Sequence, residues 1–304
     1  MTTLPPTEPD SPIYDELVSL GIVDRKSVVS YWPTVRDRSG ISVFRCEQSG
    51  VIFLSTAEHV SLSYYERKPG ASYWSSENRN AALAAAWEDD HRRAEQIRYL
   101  VANKRWLDVG SGLGGILDLL RPVAKEVHAI EPQRDMRELL IGLHYNVYPS
   151  IGSLGGSLSN AFEFCSMFHV FEHLAEPLES LRSLHRVLAP GAKIWIEVPH
   201  AGDALITSFN LDAFKEFTFW SEHLVLHTRQ SLHTYLEAAG FAGITVRGFQ
   251  RYPLANHLFW LMRGQPGGHA RLPQFRDRRL EEAYAGVLQN LNQTDTLIAI
   301  AERP

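Results

Sequence analysis

A glycine-rich turn between an apolar segment and a helix-forming segment is the feature that most constrains the fold of this chain. Residues 106–115 read WLDVGSGLGG, and the helix-forming sequence GILDLLRPV begins at the last of these glycines. Glycine lets the backbone turn tightly and approach a ligand with no Cβ in the way. A strand, a glycine loop and a helix in this order predict the first ligand-binding turn of a parallel sheet.

Strand and helix patterns alternate along the chain after this turn. The predicted strands are 105–110, 126–131, 162–169, 193–199, 244–249 and 296–302. Helix-forming segments separate most of them, including the amphipathic run PLESLRSLHRVL and the segment 230–240. This alternation predicts an α/β fold, a Rossmann-like doubly wound sheet with right-handed crossovers.

The chain before the glycine turn predicts an N-terminal appendage at 1–75, followed by a larger domain at 76–304. Within the appendage, a short helix ending at Gly21 and a β-hairpin are expected. The strands of that hairpin are 41–46 and 51–55.

Three long segments of the larger domain lie outside the strand–helix alternation. Residues 76–103 predict one long helix with Trp87, Ile97 and Leu100 facing inward. The aromatic-rich segments 200–228 and 251–292 are expected to be helical cap insertions over the active site. Ligands of such sheets bind outside the carboxyl ends of the strands, where these insertions begin.

Composition limits the partners of the chain. A net charge of −5 over 304 residues argues against a general nucleic-acid binder. We see no apolar run long enough to span a membrane and no signal-peptide pattern. Two separate cysteines, Cys46 and Cys165, predict reduced thiols and a cytoplasmic protein. Assembly into a homo-oligomer remains open.

The glycine pattern alone does not identify the cofactor. Gly110, Gly112 and Gly115 spell G-x-G-x-x-G, which a dinucleotide site would also show. In either case an acidic residue at the end of the second strand is expected to bind a ribose diol. Glu131 occupies that place.

Further motifs bear on which cofactor the glycine turn binds. Asp108 precedes the glycines by two residues. The motif FHVFEHLAEP lies at the end of the predicted strand 162–169, and RVLAPGAKIWIEVP leads into the predicted strand 193–199. As a set, over about residues 100–250, these motifs resemble the class I S-adenosylmethionine-dependent methyltransferases. Ala192 stands where that family usually has a second glycine. The resemblance implies a seven-stranded sheet whose last strand is antiparallel.

The same resemblance implies a set of cofactor-binding residues. The glycine loop would lie against the methionine part of S-adenosylmethionine, Glu131 would bind the ribose, and Ser153 and Leu154 would flank the adenine. The implied residues are Asp108, Gly110, Ser111, Gly112, Gly114, Glu131, Pro132, Gln133, Ser153, Leu154, Phe168 and His169.

Methyl transfer needs in-line alignment and often a base that takes a proton from the acceptor. FTFWSEHLVLHT resembles the D-E-H-x-x-x-F-S stretch of sugar methyltransferases, which implies His223 as general base and Glu222 as its partner. The alternative interpretation is a polar pair that anchors the loop. Arg251 and Arg263 are candidates for binding a phosphate of such an acceptor.

Two features bear on metals. Glu172 and His173 resemble part of the E-x-x-E-H motif of metal-binding ubiquinone-pathway O-methyltransferases, but His169 replaces the first glutamate. The hairpin resembles half of the zinc module of sugar methyltransferases, with Cys46 retained and Ser49 in place of the second cysteine. A structural zinc needs four good ligands. We therefore expect no metal and a degenerate zinc-ribbon-like segment.

Together these features predict S-adenosylmethionine-dependent methyl transfer to a small acceptor, a sugar that is nucleotide-linked or part of a bacterial surface glycan. Three alternatives remain: a metal-dependent O-methyltransferase acting on a phenolic acceptor, a non-catalytic S-adenosylmethionine-binding protein, and a dinucleotide-dependent oxidoreductase.

Overall fold

The computed structural model describes residues 8–68 and 78–304. Its N-terminal part consists of short elements followed by one long helix. Ser11 begins the first helix by accepting a hydrogen bond from the backbone N–H of Tyr14 at 3.2 Å, which satisfies one unpaired donor of the first turn. These elements are α1 (Pro12–Ser19), β1 (Val28–Trp32), β2 (Val43–Cys46), β3 (Ile52–Leu54), α2 (Leu62–Arg67) and α3 (Arg79–Val101).

The rest of the chain alternates strand and helix and then becomes largely helical. Its strands are β4 (Arg105–Val109), β5 (Glu126–Ile130), β6 (Asn146–Tyr148), β7 (Phe162–Phe168), β8 (Leu188–Pro199), β9 (Val225–Leu226), β10 (Ala242–Phe249) and β11 (Thr296–Glu302). Its helices are α4 (Gly115–Leu120), α5 (Arg134–Gly142), α6 (Pro177–Val187), α7 (Asp212–Thr218), α8 (Arg229–Ala238), α9 (Leu254–Arg263), α10 (Gly268–Arg271) and α11 (Arg278–Asn290).

A seven-stranded sheet has the order β10-β11-β8-β7-β4-β5-β6. The central strands β8, β7, β4, β5 and β6 run parallel, whereas β11 pairs antiparallel with both β8 and β10. This is the order and strand direction expected from the sequence, so the α/β fold class is confirmed.

Hydrophobic cores cover both faces of this sheet. Along β4, Trp106 packs into the core shared with α3 and α4, and the next residue, Leu107, packs into the core shared with α6 and α8. Alternate residues of a strand point to opposite faces, so a strand buried on both sides is mostly apolar. This arrangement leaves only the strand ends available for a ligand.

A second, four-stranded antiparallel sheet has the order β1-β2-β3-β9. Its first three strands include the predicted hairpin, but β9 comes from the insertion at 200–228. That insertion is therefore not purely helical as expected: it supplies α7 and one strand that pairs with the appendage. Apolar side chains of the appendage belong to the same core as α6 and α8.

The long helix differs from expectation at one position. Ile97 is fully buried and Leu100 packs against the core, but 57 % of Trp87 is exposed and its ring lies 4.2 Å from that of His91. At this end of α3 the inward face consists of small residues such as Ala82 and Ala86, which border a cavity. The inward prediction for Trp87 is wrong for that reason.

Candidate active site

A cavity of about 730 Å³ lies at the carboxyl ends of β4, β5 and β7. Its walls come from the glycine loop, the start of α3, the loop after β6 and the segment 60–65 of the appendage. The cap insertion at 251–292 contributes Arg251. The cavity therefore lies where the fold class places its ligands.

The glycine loop follows β4 and forms one wall of this cavity. Gly110, Gly112 and Gly114 have φ values of +75°, +53° and +79°, which disfavour other residues. A Cβ on Gly110 would lie 2.3 Å from Cγ2 of Val170. Gly110, Ser111 and Gly112 line the cavity, whereas Gly114 precedes α4 with its Cα against Leu140. The role of Gly114 in the structure is to permit the turn.

Glu131, directly after β5, is fixed by the loop it faces. Its carboxylate accepts hydrogen bonds from the backbone N–H groups of Gly112 at 2.7 Å and of Gln133 at 2.8 Å. Burial raises the pKa of Glu131 to about 7. Oε1 of Gln133 is buried and has no hydrogen-bond partner among the described residues. Glu131, Pro132 and Gln133 all line the cavity. The carboxylate of Glu131 and Oε1 of Gln133 can therefore accept hydrogen bonds from a ligand that carries hydroxyl groups.

Asp108 on β4 also lines the cavity, and a hydrogen bond from the neighbouring strand fixes its side chain. Its Oδ1 accepts a hydrogen bond from the Ser166 hydroxyl at 2.6 Å, and that hydroxyl accepts one from the Trp106 ring N–H at 2.7 Å. Burial raises the pKa of Asp108 to about 6. The chain of bonds fixes the carboxylate beside the glycine loop.

The loop after β6 lines the cavity with other residues than the two implied by the resemblance. Ser153 is exposed and its hydroxyl donates back to the carbonyl of Ser150 at 2.6 Å. Leu154 is buried in the hydrophobic core. Ser150, Ile151 and Gly152 line the cavity instead of these two residues. Neither Ser153 nor Leu154 lines the cavity, and their contact with the adenine stays a prediction.

His169 follows β7 and lies among charged groups at the cavity wall. Its Nδ1 is 3.3 Å from a carboxylate oxygen of Glu172, and its Nε2 is 3.4 Å from one of Glu197. Arg251 contributes Nη1 at 3.4 Å from the same Nε2. Phe168 lines the cavity beside it, so both predicted residues at this strand end reach the site.

Arg251 connects the cap to α3. Its Nε lies 2.9 Å from both carboxylate oxygens of Asp89, and a second guanidinium nitrogen also pairs with that carboxylate. The cations around Asp89, Arg251 first among them, lower its pKa to about 2 despite its burial. The pair holds the start of the 251–292 insertion against the cavity.

A second histidine cluster lies deeper. The rings of His173 and His223 are 5.0 Å apart, and His173 lines the cavity. Nδ1 of His173 lies 3.5 Å from the Tyr65 hydroxyl. Burial lowers the pKa of His223 to about 3, so the imidazole is neutral at pH 7. His223 does not itself line the cavity and reaches it only through its contact with His173.

Glu172 joins this cluster from the turn after β7. Its ligand atoms and those of His173 and His223 all lie within 4.8 Å of one another. In the part of the chain that the structure describes, Oε2 of Glu172 and Nδ1 of His223 have no hydrogen-bond partner. A carboxylate with two neutral imidazoles is a donor set that a divalent transition metal accepts.

The buried side chain of Glu222 contacts the appendage. It accepts a hydrogen bond from the Tyr64 hydroxyl at 2.7 Å and forms an ion pair with Lys68. Nδ1 of His223 has no hydrogen-bond partner among the described residues, so Glu222 is not bonded to that atom. Tyr64, Tyr65 and Lys68 were missed in the sequence, because helix α2 has only six residues and no readable periodicity.

The hairpin that resembles a zinc module lies outside the cavity. Cys46 is fully buried in the core at the end of β2, and Ser49 lies in the turn that follows. The wall that the appendage contributes comes instead from the residues after β3, including Val60 and Tyr65.

A methyltransferase-domain family model matches residues 73–246, more than half of the chain. The chain belongs to this family and is an S-adenosylmethionine-dependent methyltransferase. The alternative of a dinucleotide-dependent oxidoreductase is thereby rejected. No curated protein matches the sequence.

Solved structures share the fold at low sequence identity. An S-adenosylmethionine-dependent methyltransferase from Archaeoglobus fulgidus superposes with a TM-score of 0.51 at 20 % identity, over 76 % of this chain and 97 % of its own. The complex of the Haloferax volcanii Trm112 methyltransferase activator with the putative methyltransferase gives 0.54 at 13 %, over 78 % and 99 %. Haemonchus contortus phosphoethanolamine N-methyltransferase 2 with S-adenosyl-L-methionine gives 0.51 at 16 %, over 78 % and 60 %.

None of the helices in the described residues is long and apolar enough to cross a membrane.

Proposed function

We propose that this enzyme methylates a sugar, nucleotide-linked or part of a surface glycan, in the cavity described above. The observation that carries the proposal is the set of polar side chains that line the cavity outside the glycine loop. Tyr65, His169, His173 and Arg251 come from three separate segments and line one cavity with groups that can form hydrogen bonds. Such groups suit an acceptor with several hydroxyls.

The residues around the glycine loop fit S-adenosylmethionine. Gly110, Ser111 and Gly112 line the cavity, and Glu131 with the unpartnered Oε1 of Gln133 provides acceptors for ribose hydroxyls. Asp108 adds a fixed carboxylate near a sulfonium-bearing ligand. When bound, the cofactor supplies an electrophilic methyl group. The protein has to orient the acceptor in line with it and exclude water.

We assign proton uptake to the histidine cluster: His223 is the proposed base, and the acceptor would reach it beside His173, which lines the cavity with its ring 5.0 Å from that of His223. Burial lowers the pKa of both imidazoles, so each has a lone pair at pH 7. An acceptor hydroxyl becomes strongly acidic as it gains a methyl group, so a weak neutral base is sufficient. Glu222 acts as a positioning residue, since its bonds to Tyr64 and Lys68 fix the loop that carries His223.

The test is a panel of acceptors incubated with the purified protein and S-adenosylmethionine. Sugar nucleotides, free sugars, catechols and small amines would be compared by S-adenosylhomocysteine release and by the product mass. We expect release only with sugars and a mass gain of one methyl group. Methylation of catechols alone would reject the sugar assignment.

A metal-dependent O-methyltransferase is the second candidate, and the Glu172, His173 and His223 cluster favours it. Metal analysis of the purified protein, before and after EDTA treatment, separates the two. Stoichiometric metal with loss of activity in EDTA would support the second candidate. Full activity in EDTA would support the metal-free mechanism.

A further inference from the structure

A second concave site adjoins the active-site cavity across helix α2. It encloses about 580 Å³ between α2, the segment around Arg38 and the segment around His59. Leu62 and Tyr65 of α2 line the active-site cavity, whereas Ser63, Tyr64 and Arg67 line the second site. Residues three and four apart share one face of a helix, so α2 separates the two spaces. We name the second site the α2 groove.

The α2 groove is lined by cations and hydroxyl groups, with no carboxylate among its described lining residues. Lys68 is already paired with Glu222. Arg38 and Arg67 form no ion pair with any described residue and are both exposed. Two unpaired arginines facing one concavity are notable in a chain whose net charge is −5.

Arg67 is held in place without being neutralised. Its Nε donates to the Ser63 carbonyl at 3.0 Å, and Nη2 donates to the Ser63 hydroxyl at 3.2 Å. Neither bond partner is a carboxylate, and none of the described carboxylates forms an ion pair with this guanidinium. A fixed guanidinium matches the geometry of phosphate oxygens, to which it can donate two parallel hydrogen bonds.

The groove and the active-site cavity meet at Ser61, which lines both. An acceptor that spans both spaces past Ser61 would place its reacting part near the glycine loop and a second group beside Arg38 and Arg67. Two other arginines are candidates for phosphate binding on sequence grounds, but neither lines the α2 groove. Arg251 is committed to Asp89, and Arg263 is exposed at the end of α9.

We infer that the α2 groove binds a phosphate group of the methyl acceptor through Arg38 and Arg67. The inference rests on the proposed function, because it concerns the acceptor of the same cavity. Two acceptors share this chemistry: a nucleotide-linked sugar, whose diphosphate would occupy the groove, and a sugar phosphate, whose single phosphate would do so.

The first experiment measures anion binding without catalysis. Inorganic pyrophosphate is titrated calorimetrically into the full-length protein saturated with S-adenosylhomocysteine, at low and at physiological salt. Arg38→Ala and Arg67→Ala are each expected to weaken binding roughly tenfold, the loss of a charge-assisted bond. Arg278→Ala is the matched control, since Arg278 is a surface arginine paired with Glu282 on α11. Equal binding by all four proteins, or no binding by the wild type, would overturn the inference.

The second experiment distinguishes the sources of the phosphate. UDP-glucose and glucose 1-phosphate compete with pyrophosphate in the same titration, in wild type and both groove variants. Arginine-dependent binding of UDP-glucose alone supports a nucleotide-linked acceptor, and that of glucose 1-phosphate supports a sugar phosphate. Arginine-independent binding of both overturns the inference.

Failure of the groove and failure of the proposed function give different results. If sugars are not methylated but pyrophosphate binding depends on the arginines, the sugar assignment fails and the groove stands. If a phosphorylated sugar is methylated and both variants keep its KM, the groove fails and the sugar assignment stands.

Discussion

Glu197 and Arg92 form a two-point ion pair between the end of β8 and the long helix α3. Nη1 of Arg92 lies 2.8 Å from Oε2 of Glu197, and Nη2 lies 2.9 Å from Oε1. Arg93 adds bonds of 3.0 and 2.9 Å to Oε1. The carboxylate is fully buried, so it is stable as an anion only because both arginines contact it. The pair holds the α3 wall of the cavity against the sheet.

We expect Glu197→Gln to lower the free energy of unfolding by about 3 kcal/mol, because two partly buried guanidinium groups would lose their counter-charge. Urea unfolding followed by circular dichroism would measure the change. Glu179→Gln is the control, since that glutamate forms an exposed ion pair with Arg186 and should change little. An equal effect of the two substitutions would contradict the role of the buried pair.

The ion pair between Glu197 and the two arginines makes the stability of the fold depend on pH. Arg93 and Arg92 hold the pKa of Glu197 well below its ordinary value of 4.5. A carboxyl group with a depressed pKa stabilises the fold above its unfolded pKa and loses that contribution as the pH falls further. Between about pH 5 and 3 the wild type should therefore lose more stability than Glu197→Gln.

Gly110→Ala should destabilise the fold at the glycine loop. The substitution combines a positive φ of 75° with a Cβ that would lie 2.3 Å from Cγ2 of Val170. We expect a loss of about 2 kcal/mol or more in unfolding free energy. The double variant with Val170→Ala should recover the part due to the clash.

Gly142→Ala is the matched control for this loop. Gly142 ends α5 with an ordinary φ, and a Cβ there meets nothing within 4 Å. Alanine at this position should leave stability unchanged or raise it by up to about 1 kcal/mol. A neutral Gly110→Ala variant would mean that the loop adjusts without strain.

The residues around the glycine loop could be placed at the cavity from sequence, because the motifs that contain them are short and continuous in the chain. Asp108, the glycines and Glu131 lie at the ends of two consecutive strands, and the alternation of strands with helices brings those ends to one edge. Ser153 and Leu154 do not line the cavity, because the loop after β6 turns back on itself through the hydroxyls of Ser150 and Ser153. No periodic pattern reports such a turn.

The side chains that we assign to the methyl acceptor could not be predicted in the same way. Tyr64 and Tyr65 reach the site from a six-residue helix, and β9 joins a sheet whose other strands lie more than 150 residues earlier. These contacts depend on long-range packing. The bounds of strand β6 and helix α7 could not be read from the sequence, because three and seven residues are too short for a readable period; the family resemblance implied the strand, and helix α7 was expected only as part of a helical insertion.

Binding of S-adenosylhomocysteine should tighten as the pH rises from about 6 to 8. Burial raises the pKa of Glu131 to about 7, so the carboxyl group is partly protonated at neutral pH. Ribose hydroxyls donate more strongly to the ionised form. Calorimetric titration across this range should show the dissociation constant falling and then levelling.

Glu131→Gln isolates this effect. It should weaken binding by about 1–3 kcal/mol, as loss of hydrogen bonds to a charged acceptor, and remove the pH dependence. Glu138→Gln, which alters an exposed ion pair on α5, serves as control. A variant that kept the wild-type pH profile would assign the titration to another group.

His223→Asn should reduce turnover by roughly a hundredfold while leaving the affinity for S-adenosylhomocysteine unchanged, if His223 is the base. The pKa of about 3 means that its lone pair stays available well below neutral pH. Acidification to about pH 5 should therefore not protonate His223 in the wild type. His91→Asn changes a histidine that stacks on Trp87 at the surface of α3 and should retain full turnover. Wild-type turnover in His223→Asn would leave this residue only the anchoring role, whereas parallel losses of turnover and cofactor affinity would point to a collapsed loop.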